Sequence, residues 1–180
     1  MAADVERDGP ERDGAGEAAH FRALERLYAA APINRTFPST LEIPAAGTAR
    51  IRFAVDERVF HAGGAAHGTS YFKMLDDAAF YAANSLVSDR FLLTTAFNLL
   101  LTRPLRGGPV TAEGRWVSGR RRVFVAEARL VDVEGEEAAR GTGTFMRSAI
   151  PLAGLPGYAV WPGSEPGGAV WPGSAPGGAA

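Results

Sequence analysis

The chain contains no cysteine among its 180 residues. This absence excludes a disulfide framework, a thiol nucleophile and a zinc site built on thiolates. It is compatible with a reducing compartment, and we expect a cytoplasmic location. A chain of this length can bury enough surface to fold as one domain without a covalent or metal staple.

Long apolar runs and a surplus of charge are missing as well. No stretch approaches the roughly 20 uninterrupted apolar residues of a membrane-spanning helix, so we expect no membrane association. The formal net charge is -1, which provides no global field to attract nucleic acid. Residues 1–16 combine charged side chains with glycine and lack an apolar core, so we expect disorder there rather than a signal peptide.

The C-terminal end differs in composition from the rest of the chain. AVWPGSEPGG (159–168) is followed by AVWPGSAPGG (169–178), a repeat dense in proline and glycine that cannot build a core. We expect residues 150–180 to form a disordered low-complexity tail. The alternative is that Trp161 and Trp171 dock on a partner or on the domain itself.

Residues 17–149 carry the periodic patterns of a folded domain. Apolar residues at helical spacing predict a helix over about residues 17–31, ended by Pro32. Alternation within residues 39–60 is typical of a strand with one exposed face. A long stretch rich in alanine predicts a second helix from about Ser70 to Val87.

Four further strands are predicted in succession, separated by short turn sequences, at residues 91–104, 110–119, 121–135 and 137–148. Short links between successive strands favour an antiparallel meander. Together with one long apolar helix, this order predicts an α+β fold in which the helix packs across the sheet.

The second helix carries two adjacent aspartates. Asp77 falls on its polar side, four residues after Lys73, so we expect it to be solvated and loosely paired with that lysine. Asp76 shares its side with phenylalanines and alanines, in a helix that we expect a second subunit to cover. Desolvation raises the pKa of such a carboxyl group and marks a candidate base or nucleophile. The alternative is that Asp76 only bonds the backbone or an arginine of a neighbouring subunit.

The start of this helix is a candidate site for an oxyanion. Gly68 lies in the first turn, where backbone N–H groups are unpaired and aligned with the positive end of the helix dipole. Glycine also allows a substrate to approach the backbone closely. The standard helical rise separates Gly68 from Asp76 by about 12 Å, so we expect two antiparallel copies of the helix to combine them at one substrate.

The stretch HGTSYFKMLDDAAFYAANS resembles the H-G-G-x-x-x-x-L-x-D-x-A motif of hotdog-fold acyl-CoA thioesterases of the PaaI-like, phenylacetate-pathway type. The segments LTTAFNLLLTRP and GRRRVFVAEARLVDVEGEEAARGTGTF are similar to strands of that family, so the resemblance covers about residues 40–148. It implies an antiparallel sheet wrapped around a central helix, in homodimers or homotetramers with shared active sites. It also implies hydrolysis of an acyl-CoA thioester without a cofactor, since CoA is part of the substrate.

The resemblance assigns the catalytic roles. Gly68 matches the glycine whose N–H polarises the thioester carbonyl, and Asp76 matches the carboxylate that acts as general base or nucleophile, with Gly68 of one chain serving Asp76 of the other. Thr94 matches a hydroxyl that orients the attacking water and is supplied by the other subunit.

The predicted substrate-binding residues include two departures from the family. His61 stands where the family commonly carries Asn or Gln near the substrate carbonyl, and Thr69, beside His67, replaces its second glycine. An imidazole can still donate a hydrogen bond. Arg120 and Arg121, between two predicted strands, are candidates to bind nucleotide phosphates, with a solvated turn as the alternative.

Other chemistries are less well supported. A metal site on His61, His67 and Asp76 is not expected, since their spacing is no known ligand signature. The G-x-S-x-G pattern of serine hydrolases does not occur. Gly141 and Gly143 indicate a bulged strand rather than a dinucleotide loop, because no helix follows. Two further functions stay open on this fold: a non-catalytic acyl-CoA binding or scaffold protein, and a dehydratase of 3-hydroxyacyl thioesters.

Overall fold

A long helix, α2 (Gly68–Asn84), lies across one face of a six-stranded antiparallel sheet. The computed structural model of the protein describes residues 14–159. The strands are β1 (Ser39–Glu42), β2 (Thr48–Val55), β3 (Arg90–Leu101), β4 (Gly108–Ser118), β5 (Val123–Val131) and β6 (Glu137–Pro151). The predicted α+β arrangement, with one long helix packed across the sheet, is confirmed.

The sheet admits α2 closely because its inner face carries a row of small residues. This row crosses four paired strands and consists of Ala49, Gly114, Ala128 and Gly141. A Cβ atom on Gly114 would lie 1.9 Å from the carbonyl oxygen of Ala78 in α2, a separation that no side chain allows. The face of α2 that meets the sheet is fully buried at Met74, Leu75, Ala78 and Ala82.

β3 lies at one edge of the sheet, and the strand order is β1-β2-β4-β5-β6-β3. The predicted meander therefore holds for β4, β5 and β6 but is wrong for β3, which pairs with β6 and not with β4. After β2, the helix α2 crosses the sheet and leads to β3 at the far edge. The link between β3 and β4 then returns the chain to the other side of the sheet, where β4 lies beside β2. The outer edge of β3 consequently has no neighbouring strand among residues 14–159.

A second helix, α1 (Gly14–Ala30), begins three residues before the predicted start, within the segment expected to be disordered. The described part of the predicted tail packs on the domain: Leu152 is fully buried, and the Tyr158 hydroxyl lies 2.8 Å from His20 Nδ1 on α1. Residues 1–13 and most of the tandem repeat, with Trp161 and Trp171, lie outside the described residues. Neither helix is long and apolar enough to cross a bilayer.

The two glycines of β6 have a packing role. β6 continues through Gly141 and Gly143 in unbroken register with β3 and β5, so the bulge predicted there is wrong. A Cβ atom on either glycine would lie within 2.7 Å of the Phe97 ring of β3. The bulge in this part of the sheet is in the pairing of β3 with β6, between Thr94 and Ala96. The glycines make room for an aromatic ring lying over the strand.

Candidate active site

One side of α2 meets the edge strand β3 through three residues spaced one turn apart, as helical periodicity requires. The contacting pairs are Phe72 with Phe97, Asp76 with Thr94, and Phe80 with Phe91. The two aromatic pairs have ring centroids 5.6 Å and 4.9 Å apart. The carboxyl group of Asp76 therefore lies between two aromatic pairs. This agrees with the prediction that Asp76 shares its side of the helix with phenylalanines.

Asp76 is partly buried in this apolar setting. Burial raises its pKa to about 6, and the charge of the adjacent Asp77 adds to the rise, while the Thr94 hydroxyl and the Lys73 ammonium oppose it. The group is thus largely ionised at neutral pH and can still accept a proton readily. This combination suits a general base, and an ionised carboxylate is also a possible nucleophile.

Thr94 comes from the same chain as Asp76. Its Oγ1 donates to the carboxylate at 3.0 Å from Oδ1 and 3.3 Å from Oδ2. The expectation that the other subunit supplies this hydroxyl is therefore wrong. Since β3 pairs with β6 and not with β4, it runs along α2 and brings its own threonine to the carboxylate.

His67, Gly68 and Thr69 form the first turn of α2. His67 caps the helix: its Nδ1 accepts a hydrogen bond from the Thr69 N–H at 3.2 Å, and its carbonyl oxygen accepts one from the Ser70 N–H at 2.9 Å. The Gly68 N–H has no acceptor within residues 14–159. A Cβ atom on Gly68 would meet only Leu101 Cδ1, at 3.7 Å. This amide is available to an external acceptor.

His61 lies on the loop before α2, and its side chain is exposed. The Gly63 N–H donates to His61 Nδ1 at 2.9 Å, and a backbone amide can only donate. Nδ1 is therefore the acceptor nitrogen, and in the neutral ring the proton lies on Nε2. The loop leaves this Nε2–H as the donor that could meet a substrate oxygen.

Lys73 and Asp77 form the expected ion pair, but the expectation that Asp77 is solvated is wrong. Their side chains are only 13% and 19% exposed. The Lys73 ammonium also donates to Asn34 Oδ1 at 2.9 Å, in the segment that follows α1. Asn84, near the end of α2, is fully buried, and its amide binds the turn between α2 and β3. The helical pattern could not reveal that α1 covers this side.

Arg120 and Arg121 lie in the exposed turn between β4 and β5. The Arg120 guanidinium stacks over Trp116, with Cζ 5.8 Å from the ring centroid. Arg121 has a φ of 65°, the left-handed conformation of a tight turn. The structure describes no contact between these arginines and Asp76 or Gly68. Within one chain, the site residues thus form two separate groups, Asp76 with Thr94 and the residues around Gly68, with the arginines apart from both.

Comparison with known proteins links this part of the chain to thioesterases. Residues 63–139, which contain both groups except His61, match the family model of the thioesterase superfamily. A candidate esterase of Saccharolobus solfataricus is 28% identical over 100 residues, which cover 56% of this chain and 67% of that protein.

Solved structures share the fold of this chain over more than the segment matched by the family model. The E. coli PaaI protein from the phenylacetic acid degradation operon superposes with a TM-score of 0.69 at 18% identity, over 75% of this chain and 97% of that chain. A variant of the phenylacetic acid degradation protein PaaI from Thermus thermophilus has a TM-score of 0.60 at 25% identity, over 66% of this chain and all of that one (100%). The expected hotdog fold of PaaI-like thioesterases is confirmed.

Two parts of the site were not predicted from the sequence. Phe97, which faces Phe72 next to the carboxylate, follows from the register of β3 against β6. Tyr28 and Asn34 lie 45 and 39 positions before Lys73, and no local pattern connects them to it. The burial of the Lys73–Asp77 ion pair therefore depends on tertiary packing between α2 and the segment that contains Tyr28 and Asn34.

Proposed function

We propose that the protein is an acyl-CoA thioesterase, which hydrolyses an acyl-CoA thioester to the free acid and CoA. The observation that carries this proposal is the Asp76 carboxylate, which has a raised pKa and accepts a hydrogen bond from the Thr94 hydroxyl. Both residues lie in the segment that matches the thioesterase superfamily model. A partly desolvated carboxylate is a competent base or nucleophile at neutral pH. No metal or cofactor takes part in the proposed reaction.

As a base, Asp76 accepts a proton from a water molecule while that water's oxygen forms a bond to the thioester carbonyl carbon. The carbonyl oxygen becomes an oxyanion, which the Gly68 N–H stabilises. The C–S bond then breaks, and CoA leaves as a thiolate that takes up the proton held by Asp76, which restores the ionised base. As a nucleophile, Asp76 would instead form a mixed anhydride with the acyl group, which water hydrolyses in a second step.

We further propose that the site is shared by two copies of the chain. The outer edge of β3 has no neighbouring strand within residues 14–159, and the strand carries exposed Leu93, Leu100 and Leu101, a surface that natural proteins normally cover. If two β3 edges pair antiparallel about the midpoint between Phe97 and Asn98, Thr94 of one chain lies opposite Leu101 of the other. Since Leu101 Cδ1 lies 3.7 Å from where a Cβ atom on Gly68 would be, this register brings the first turn of one α2 towards Asp76 of the other chain. A dimer, or a tetramer of two such dimers, follows.

The remaining predicted residues bind the substrate in this proposal. His61 Nε2–H is a donor for the thioester carbonyl, next to the helix start formed by His67 and Thr69. Arg120 and Arg121 provide positive charge for the phosphates of the CoA nucleotide, which lies outside the acyl site. The substrate and a second copy of the chain are the only partners proposed, and the cytoplasmic location stays a prediction.

Release of free CoA thiol tests the proposal. Short, long and aromatic acyl-CoA esters are incubated with the wild-type chain, with Asp76→Asn and with Asp89→Asn, which removes an exposed carboxylate on the α2–β3 turn. We expect hydrolysis by the wild type and by Asp89→Asn, and a loss of at least about 100-fold in Asp76→Asn. Full activity in Asp76→Asn would refute the assigned base.

The alternative is an acyl-CoA binding or scaffold protein on the same fold. The departures at His61 and Thr69 favour this alternative, since they change the residues expected at the thioester carbonyl. It predicts CoA-ester binding in calorimetry with no thiol release by any variant. A dehydratase would instead remove water from a 3-hydroxyacyl thioester and leave the thioester bond intact.

A further inference from the structure

Lys73 and Asp77, which flank Asp76 in the sequence of α2, form a charged pair. Lys73 and Asp77 are bonded to each other and largely screened from solvent. The ammonium also donates to Asn34 Oδ1 at 2.9 Å and to the Tyr28 hydroxyl at 3.5 Å, and it lies 5.0 Å from the centroid of the Tyr28 ring. All three ammonium protons therefore have acceptors, two of which come from α1 and the turn that follows it.

The other groups around this pair carry no charge at neutral pH. Burial raises the pKa of Tyr28, which lies on α1, and that of Tyr81, which lies one helical turn beyond Asp77, so both phenols stay protonated. β1 contributes the Ser39 hydroxyl, which lies 2.6 Å from the Tyr28 oxygen, and β3 contributes the Thr94 hydroxyl. The charges that act on Asp76 from its immediate surroundings are therefore one cation, Lys73, and one anion, Asp77.

We propose that Lys73 is a positioning residue for the reaction at Asp76, because its ammonium, held by α1, cancels the buried charge of Asp77 beside the reacting carboxylate. The role of Lys73 in catalysis rests on the proposed thioesterase function, whereas the effect of its charge on the pKa of Asp76 is independent of that function. α1 lies outside residues 63–139, so this support is built by a part of the chain beyond the matched family segment.

The opposite signs of the two charges give the proposal a specific signature. Burial already raises the pKa of Asp77, and Lys73→Met removes its counter-charge, so the adjacent carboxyl groups of Asp76 and Asp77 should together hold a proton to higher pH. Asp77→Asn removes the like charge and leaves Lys73 uncompensated, so Asp76 should lose its proton at lower pH. A purely structural role would weaken folding in both variants but would not move the titration of Asp76 in opposite directions.

The test is a carboxyl-carbon NMR titration of Asp76 in the full chain between about pH 4 and 8, with the pH profile of kcat/KM as a second measurement. In the wild type about half of Asp76 should be ionised at pH 6. We expect less than half in Lys73→Met and more than half in Asp77→Asn, with the double variant between them. Arg115→Met is the matched control, since it breaks the exposed pair with Glu127 on β5 and should leave the titration unchanged.

Shifts in the same direction, or none, would overturn the proposal. If Lys73→Met does not fold, Lys73→Gln removes the same charge and keeps a hydrogen-bond donor, and Asp77→Asn alone still decides the sign. If no thioester is hydrolysed, the proposed function fails while the NMR titration still decides the inference. If hydrolysis is observed and the titration does not move, only the inference fails.

Discussion

Thr94 Oγ1 lies within 3.3 Å of both carboxylate oxygens of Asp76, across the contact between β3 and α2. An ionised carboxylate can only accept hydrogen bonds, so the hydroxyl proton points at Asp76 and the lone pairs of Oγ1 point elsewhere. A water molecule that donates to one of these lone pairs would lie next to the carboxylate. Thr94 can therefore both hold the base in its ionised form and orient the nucleophile.

Removal of this hydroxyl should shift the acid limb of the activity profile. In Thr94→Val the ionised form of Asp76 loses a hydrogen bond, so the pKa of Asp76 should rise above about 6 and activity at pH 6 should fall below half of its plateau. The plateau itself should fall roughly 10-fold, the effect of about one hydrogen bond in the transition state. The pH dependence of kcat/KM measures both effects.

The neighbouring threonine provides a matched control. Thr95 Oγ1 donates to the Thr144 carbonyl oxygen at 3.0 Å and not to Asp76. Thr95→Val should therefore leave the acid limb in place, while Thr94→Ser should restore the wild-type profile. An acid limb that moves equally in both valine variants would show that Thr94 has no special relation to the base.

Asp76 should also lower the stability of the folded protein at neutral pH. Its pKa rises from 3.8 to about 6 on folding, so the folded state binds the proton more tightly, and stability declines as pH rises from about 4 to 6. The full shift corresponds to about 3 kcal/mol, which partial exposure of the carboxyl reduces to roughly 1 to 2 kcal/mol. Asp76→Asn keeps an oxygen acceptor for Thr94 and should unfold at a higher temperature than the wild type at pH 8.

Thermal unfolding of both proteins at pH 4 and pH 8 provides the check. The advantage of Asp76→Asn should be largest at pH 8 and should shrink towards pH 4, where the wild-type carboxyl is protonated in the folded state. Asp89→Asn removes an exposed carboxylate that bonds Arg147, so this variant should not be more stable than the wild type at pH 8. A variant less stable than the wild type at pH 8 would mean that the ionised Asp76 is well solvated.

The order of elements could be predicted because each has a strong local pattern. α2 and the strands lie within the segments that periodicity, alanine content and turn residues indicated, but the single strand predicted within residues 39–60 is two strands, β1 and β2. The partner of β3 could not be predicted, since that depends on where α2 delivers the chain and not on any property of β3 itself. Strand order is a property of the whole fold, and short connections only favour neighbours.

The candidate site was predictable for the residues that share one helix. Helical geometry alone separated Asp76, among phenylalanines, from Asp77 beside Lys73, and both assignments agree with the contacts in the structure. The burial of Asp77 and the origin of Thr94 could not be read from that helix, because they depend on α1 and β3 packing against it. Contacts between distant segments set the electrostatics of the site.

Gly114 should tolerate no side chain. A Cβ atom there would overlap the backbone of α2, 1.9 Å from the Ala78 carbonyl oxygen, and neither strand nor helix can move without disturbing the core. Gly114→Ala should cost about 3 kcal/mol or more in the free energy of unfolding, as measured by urea denaturation. Gly154→Ala, whose Cβ would meet only Pro151 Cγ at 3.7 Å, should stay within about 1 kcal/mol of the wild type.

Sharing of the site between subunits can be tested with two variants that are each inactive. Gly68→Ala should fold normally, since its Cβ meets only Leu101 Cδ1 at 3.7 Å and alanine favours a helix, but the methyl group obstructs the approach to the oxyanion amide. Asp76→Asn removes the base. In a mixed dimer, one site combines both altered residues and the other combines the intact Gly68 of one chain with the intact Asp76 of the other.

Co-refolding of equal amounts of the two variants should therefore restore activity to about a quarter of the wild-type value, since about half of the dimers are mixed and each has one intact site. Each variant refolded alone should stay inactive. The pair Asp76→Asn and Thr94→Val is the matched control: both positions belong to one chain's group, so a mixed dimer contains no intact site and its activity should not exceed that of Thr94→Val by itself. Activity that fails to rise when Gly68→Ala is mixed with Asp76→Asn, although mixed dimers are detected by native mass spectrometry, would place both residues at the same site of one chain.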